Sequence, residues 1–228
     1  FQKEHNLTIF HLMGQHVNYK LRYRKEQAKF WASSYEEKRP ELTTAQRKML
    51  SHYDNATLYN DSIVTQIVKR FQKENAIVIY VPDHGEECYE EDRGFICRNH
   101  AANIDWPLDH YEFEIPFWIY CSPKYIKTHR DIYRQIRAAK DKRFMTDALP
   151  HLLLYLAGIE TPTYKEEYNI LSPKYNEMRP RILKNSADYD QLRDEHLKKM
   201  KEQKKQEEGQ QQKKKSNKKQ KKIQKERR

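Results

Sequence analysis

The run Ala76-Ile77-Val78-Ile79-Tyr80-Val81 is continuously apolar and mostly β-branched or aromatic, the pattern of a central strand buried on both faces. Two other segments share its character. Leu7-Thr8-Ile9-Phe10-His11-Leu12 reads as a strand that runs out at Gly14, and Ile115-Pro116-Phe117-Trp118-Ile119-Tyr120-Cys121 as another, its proline near the start where a missing donor is tolerated. Residues 42–73 have a different period: Met49, Tyr53, Ala56, Ile63, Ile67 and Phe71 recur at spacings of three, four or seven, which predicts a helix with one face turned to a sheet. Residues 131–139 also read as helical. Thr146-Asp147 can cap a further helix through Leu156 that Gly158 ends. The order strand, helix, strand, strand, helix, helix predicts an α/β architecture with a mostly parallel sheet flanked by helices.

After about residue 190 the pattern stops. The chain carries a formal charge of +11, with 44 Lys plus Arg against 33 Asp plus Glu. From His196 onward there are 15 basic and 4 acidic residues, so residues 1–195 hold 29 of each sign and the surplus belongs entirely to the end. That distribution argues against a basic nucleic-acid-binding body. Lys213-Lys214-Lys215 and Lys218-Lys219-Gln220-Lys221-Lys222 lie in a Lys/Gln-rich stretch with almost nothing apolar to bury, expected to be disordered or helical. We therefore divide the chain into a folded part, residues 1–190, and a low-complexity tail, residues 191–228. No stretch is apolar for long enough to span a bilayer. Of three cysteines, Cys88 and Cys97 flank a short loop and could pair in an oxidising compartment or remain reduced; Cys121 falls in the third strand.

Chemistry gathers at the end of the strand 76–81. Asp83-His84-Gly85-Glu86 releases a carboxylate and an imidazole together from the carboxyl end of a buried strand, where ligand sites of open α/β sheets collect. Such a pair suits a divalent metal that polarises a phosphoryl or sulfuryl oxygen. The plainer alternative is a cap, in which Asp83 accepts backbone hydrogen bonds and His84 is a structural residue. A second strand end carries Gln15-His16, and His100, Asp105, Asp109 and His110 lie between the second and third strands.

Four landmarks in order, Phe10-His11-Leu12-Met13-Gly14-Gln15-His16, Tyr53-Asp54-Asn55, Asp83-His84-Gly85-Glu86 and the stretch from Asp147 through His151 to Gly158-Ile159, resemble the sulfatase-like domain of the phosphoethanolamine transferases of lipid A and colistin-resistance type. The resemblance covers residues 6–185 and implies an alkaline-phosphatase-like fold, of which this chain would be the C-terminal half of the catalytic domain. On it, Asp83 and His84 are similar to the ligands of a tightly bound zinc, and His16 and His100 to histidines that bind a second zinc or the substrate phosphate. Glu86 would orient an imidazole or a water from behind the metal. Two departures stand out: the family's Ser-His-Gly-Pro is Gln15-His16-Val17-Asn18 here, and its His-Gly is His100-Ala101. Tyr53-Asp54-Asn55 is expected to hydrogen-bond the helix to the sheet.

The same resemblance implies a reaction. Phosphoethanolamine would pass from phosphatidylethanolamine to a threonine and then to lipid A or the lipopolysaccharide core, in a bacterial inner-membrane enzyme whose catalytic domain faces the periplasm. The nucleophilic threonine is expected upstream, after a membrane domain that precedes the region matched; Thr8, Thr43 and Thr44 do not stand in its context, so this chain alone is expected to be inactive. Other sulfatase-superfamily hydrolases and phosphoglycerol transferases use the same metal geometry. A rival of another class is a non-catalytic remnant that docks on anionic lipid through its tail. No specific nucleic acid is expected as a partner.

Overall fold

The computed structural model of the protein describes residues 6–90, 93–94, 96–98 and 103–226. Its elements are α1 (Thr44–Phe71), β1 (Ile77–Tyr80), β2 (Glu87–Cys88), β3 (Ile96–Cys97), α2 (Trp106–Leu108), β4 (Trp118–Cys121), α3 (Pro123–Thr128), α4 (Arg130–Ala139), α5 (Leu149–Ala157), β5 (Ile182–Leu183), β6 (Ala187–Asp188) and α6 (Tyr189–Glu226). They form two compact units, residues 1–100 with 111–179 and residues 101–110 with 180–228.

In the first unit α1 starts on a capping box. The Thr43 hydroxyl accepts from the Gln46 amide at 3.3 Å and the Gln46 side chain accepts from the Thr43 amide at 2.8 Å, satisfying two end donors reciprocally. The buried positions of α1 are Leu50, Ser51, Asn55 and Ala56, whereas Met49 of the expected stripe is exposed. The reason is what the helix packs on. Its main neighbours are the 3₁₀ turns Tyr19–Leu21 and Ala32–Tyr35, with β1 touched only lightly, so the face is set by short turns and not by a broad sheet. One core cluster gathers Tyr35, Leu42, Leu50, Cys88 and Tyr89; another gathers Ala139, Leu152, Ile170 and Leu171.

β1 pairs antiparallel with β4 in the register Ile77–Cys121, Val78–Tyr120, Ile79–Ile119, Tyr80–Trp118. Ser122 locks this ladder at one end: its buried hydroxyl donates to the Glu74 carbonyl at 2.6 Å and accepts from the amides of Ala76 and Tyr125. The sequence pattern predicts a mostly parallel sheet, yet the sheets among the described residues are three antiparallel pairs. Among the described residues β1 and β4 are joined through the β2–β3 hairpin and short turns, without the long crossover helix that a parallel pair needs, and the expected strand at residues 7–12 is absent as well. That segment is irregular, with Leu7 and Ile9 largely exposed, because no described strand offers it a ladder and an apolar alternation without a neighbour does not make a strand. β4 is also shorter than its apolar run, beginning two residues after Pro116.

α5 ends as expected, on Gly158 at φ 65°. Its start differs from expectation. Residues Thr146–Ala148 form a 3₁₀ turn with no side-chain cap, and Asp147 instead takes a two-pronged ion pair from Arg179 at 2.5 and 2.6 Å.

The second unit contains β5 and β6, a hairpin whose turn residues Lys184 and Asn185 both take positive φ, as a type I′ turn requires. The Asp188 carboxylate then accepts from the amides of Asp190 and Gln191 and opens α6. Trp106 lies between the rings of His110, 5.3 Å away, and His196, 5.0 Å away. The tail is thus a continuous helix through Glu226. No helix among the described residues is long and apolar enough to cross a membrane.

Candidate metal and phosphate site

The chain leaves β1 at Val81 and turns at Asp83. His84 is held from the side: its Nδ1 lies 2.7 Å from the Gly85 carbonyl, which can only accept, so Nδ1 carries the proton and, in the neutral ring, Nε2 carries the lone pair. That Nε2 is 3.7 Å from Oδ2 of Asp83. Two ligands bound at roughly 2.0–2.1 Å to one tetrahedral zinc sit slightly closer than this, so the two atoms need only a small inward shift to share a metal. A carbonyl behind a ligating imidazole is the usual device for fixing its tautomer. Exposure divides the pair: the Asp83 side chain is 91% exposed and that of His84 19%. Among the described residues, no group of three or more His, Cys, Asp or Glu side chains is arranged to hold a metal ion.

Gly85 is required where it stands. Its amide donates to the Glu112 carbonyl at 2.8 Å, and a Cβ there would lie 2.2 Å from the carbonyl oxygen of Tyr111. The loop after β1 is therefore pressed backbone to backbone against residues 111–114.

Glu86, next along, is the hub of a small network. Its side chain is only 6% exposed, and it accepts from the Tyr19 hydroxyl at 2.5 Å while Arg98 reaches its other oxygen at 3.5 Å. Arg98 in turn approaches Nε2 of His16 at 3.4 Å. Burial raises the Glu86 carboxyl above its ordinary range; the Tyr19 hydrogen bond and the nearby His84, Arg98 and His16 pull it back without cancelling the shift. Burial and Glu86 together push the Tyr19 phenol up, so it stays a donor. The result is a carboxylate that aims a guanidinium at the exposed His16, an arrangement able to receive an anion.

His16 is thus joined through Arg98 to Glu86, two residues past His84. His100 lies outside the described residues. His110 stacks on Trp106. His151 accepts from the Lys165 amide at 3.1 Å, as expected of a packed helix histidine. Tyr53-Asp54-Asn55 does bond its helix to the chain around it, but to a loop and a turn: the Tyr35 hydroxyl donates to Asp54, and Asn55 binds the backbone of Lys29 and Phe30. Cys88 and Cys97 are free thiols, and the β2–β3 register, Glu87 opposite Cys97 and Cys88 opposite Ile96, puts them on opposite faces of the hairpin. Sequence reasoning missed Tyr19 and Arg98. Their only signal is nearness to the motif histidines, three residues after His16 and two before His100.

Phosphoethanolamine transferase EptC of Escherichia coli O18:K1:H7 is 33% identical over 174 residues, which are 75% of this chain and 29% of that protein. The Kdo(2)-lipid A phosphoethanolamine 7''-transferase of Salmonella typhimurium is 28% identical over 139 residues, 58% of this chain and 22% of that protein. The crystal structure of the C-terminal periplasmic domain of Escherichia coli EptC in complex with Zn superposes with a TM-score of 0.64 at 30% identity, covering 80% of this chain and 51% of that one. The chain thus spans under a third of the curated relatives' length and about half of the solved domain. The likeness extends to fold class, a sulfatase-like α/β architecture of which the described elements are a part. Residues 2–159, which take in the Gln15-His16 loop, α1, the Asp83-His84 pair and the Glu86 hub, match the Sulfatase family, and the chain belongs to it.

Proposed function

We propose that this chain supplies the metal-binding part of a phosphoethanolamine transferase, with Asp83 and His84 as zinc ligands and His16, His100 and Arg98 as the receivers of substrate phosphate or of a second zinc. The observation that carries the reading is the His84 ring, turned by the Gly85 carbonyl so that its lone-pair nitrogen faces Asp83 at the end of β1. The Zn-bound relative of 30% identity and the named activities of the relatives support it. Zinc bound there would polarise a phosphoryl oxygen and lower the pKa of a hydroxyl nucleophile.

The chain's own groups do the rest. Asp83 offers its carboxyl oxygens at the exposed lip. His84 offers Nε2 from a fixed ring. Glu86, held by Tyr19, keeps Arg98 beside His16, where the guanidinium would pair with the non-bridging oxygens of a tetrahedral phosphate and the imidazole hydrogen-bond to them. The donor would be phosphatidylethanolamine, releasing diacylglycerol as a threonine oxygen takes the whole phosphoethanolamine group at phosphorus, and the acceptor lipid A or the lipopolysaccharide core, whose oxygen then displaces the threonine. The reaction belongs in the periplasm, at the inner membrane.

Two measurements test this. Zinc titrated into the purified chain should bind weakly, and Asp83→Ala and His84→Ala should each abolish that binding. Mass spectrometry of lipopolysaccharide should find phosphoethanolamine added only in cells carrying the intact gene, and the same two substitutions should abolish it. Zinc binding retained in both variants overturns the ligand assignment. Unmodified glycolipid beside brisk sulfate-ester hydrolysis places the chain in another branch of the family.

A further inference from the structure

We propose that the last part of α6 is an electrostatic dock for an anionic bilayer surface, a proposal that rests on the lipid-modifying reading above for its choice of partner. Residues 210–228 carry ten basic residues and one acidic, and the helix runs through them to Glu226. At about 100° per residue, positions 214, 215, 218, 219, 221, 222 and 225, all lysine, fall within an arc of about 160°. Positions 216, 217, 220, 223 and 224, which are Ser, Asn, Gln, Ile and Gln, fill the other side, where Lys213 is the single basic exception; Glu226 falls inside the lysine arc at the final turn. These positions share one side of the helix, over about 17 Å from position 214 to 225.

That arrangement weakens the helix by itself. Lysines at 214 and 218, 215 and 219, 218 and 222, and 221 and 225 are like-charged pairs one turn apart, which oppose helix formation. Earlier in α6 the charges alternate, with Glu202, Glu207 and Glu208 among the lysines, as a merely solvated helix would have them. A plane of phosphates under the lysine side removes the repulsion. The stripe offers no apolar face for insertion and no aromatic ring for stacking on a base, so it suits surface attraction to lipid headgroups better than burial in a membrane or reading of single-stranded nucleic acid. Its base is fixed to the second unit by the Asp188 cap and by His196 stacked on Trp106.

Flotation of the full chain with phosphatidylcholine vesicles, with and without phosphatidylglycerol, tests the dock. Binding should appear only with phosphatidylglycerol, vanish at high salt and be absent from a chain ending at Gly209. The variant N217K/K218N/Q220K/K221Q keeps composition and charge but spreads the lysines around the helix; it should bind on the order of tenfold more weakly. Equal flotation of the chain ending at Gly209, or equal affinity of the rearranged variant, overturns the proposal. So does duplex DNA that strips the chain from vesicles at equal phosphate, which would make the tail a general polyanion binder. The assay needs no turnover, so vesicle binding alongside unmodified lipopolysaccharide from cells carrying the intact gene leaves the dock standing and counts against the transferase reading alone.

Discussion

Gly85 carries more of the site than its size suggests. With Tyr111 backbone 2.2 Å from where a Cβ would sit, Gly85→Ala must push the loop off residues 111–114 or break the amide bond to Glu112. We expect a loss of about 1–3 kcal/mol in chemical denaturation, with weakened zinc retention because His84 is aimed through the Gly85 carbonyl. A second residue sets a pH dependence. Burial, with Lys48 and Lys20 nearby, holds the His52 imidazole below its ordinary value, and its Nδ1 shares a 2.8 Å hydrogen bond with the Tyr23 hydroxyl. The unfolded chain therefore binds more protons between the folded value and about 6.5. This contribution to stability is complete above about pH 6.5, declines as the pH falls through that window and levels off below the folded value. Thermal melts across the window should show the decline, and His52→Gln should flatten it.

Among the elements, α1 owes its place to one side chain. Asn55 accepts from the amides of Lys29 and Phe30 at 2.6 and 3.1 Å and donates to the carbonyls of Phe30 and Ser51, both at 2.8 Å. Asn55→Ala removes from the half-buried 29–30 segment the acceptor of two amides and the donor to one carbonyl and should cost about 1–3 kcal/mol, read from a urea titration. Elements whose signal is local were legible in the sequence: the apolar run of β1, the period of α1, the glycine stop of α5. Those that depend on distant partners were not. Residues 7–12 have the composition of a strand and lack a ladder, and Tyr19 meets Glu86 across 67 positions, a distance at which no spacing rule operates. The Asp83-His84 pair was legible because both residues leave one strand end together; Arg98 was not, since it reaches Glu86 from the far strand of the β2–β3 hairpin, where only the pairing register brings the two together.

For the molecule as a whole, α6 has a packed base and a long remainder. A chain ending at Gly209 should melt at the same temperature as the full chain, since the contacts of Tyr189 and His196 stay in place. A chain ending at Glu195 loses the ring stacked on Trp106 and should melt lower; calorimetry distinguishes the two. The β1–β4 ladder has a wider consequence. Each of its strands has one partner among the described residues, so two outer rows of amides and carbonyls run beside an apolar surface. Such rows are templates for strands from other molecules, and a two-stranded ladder is marginal without them. In solution the chain should behave as a sticky monomer: sedimentation velocity should show heavier species growing with concentration, and a polypeptide able to add a strand to either row should return it to a single discrete particle.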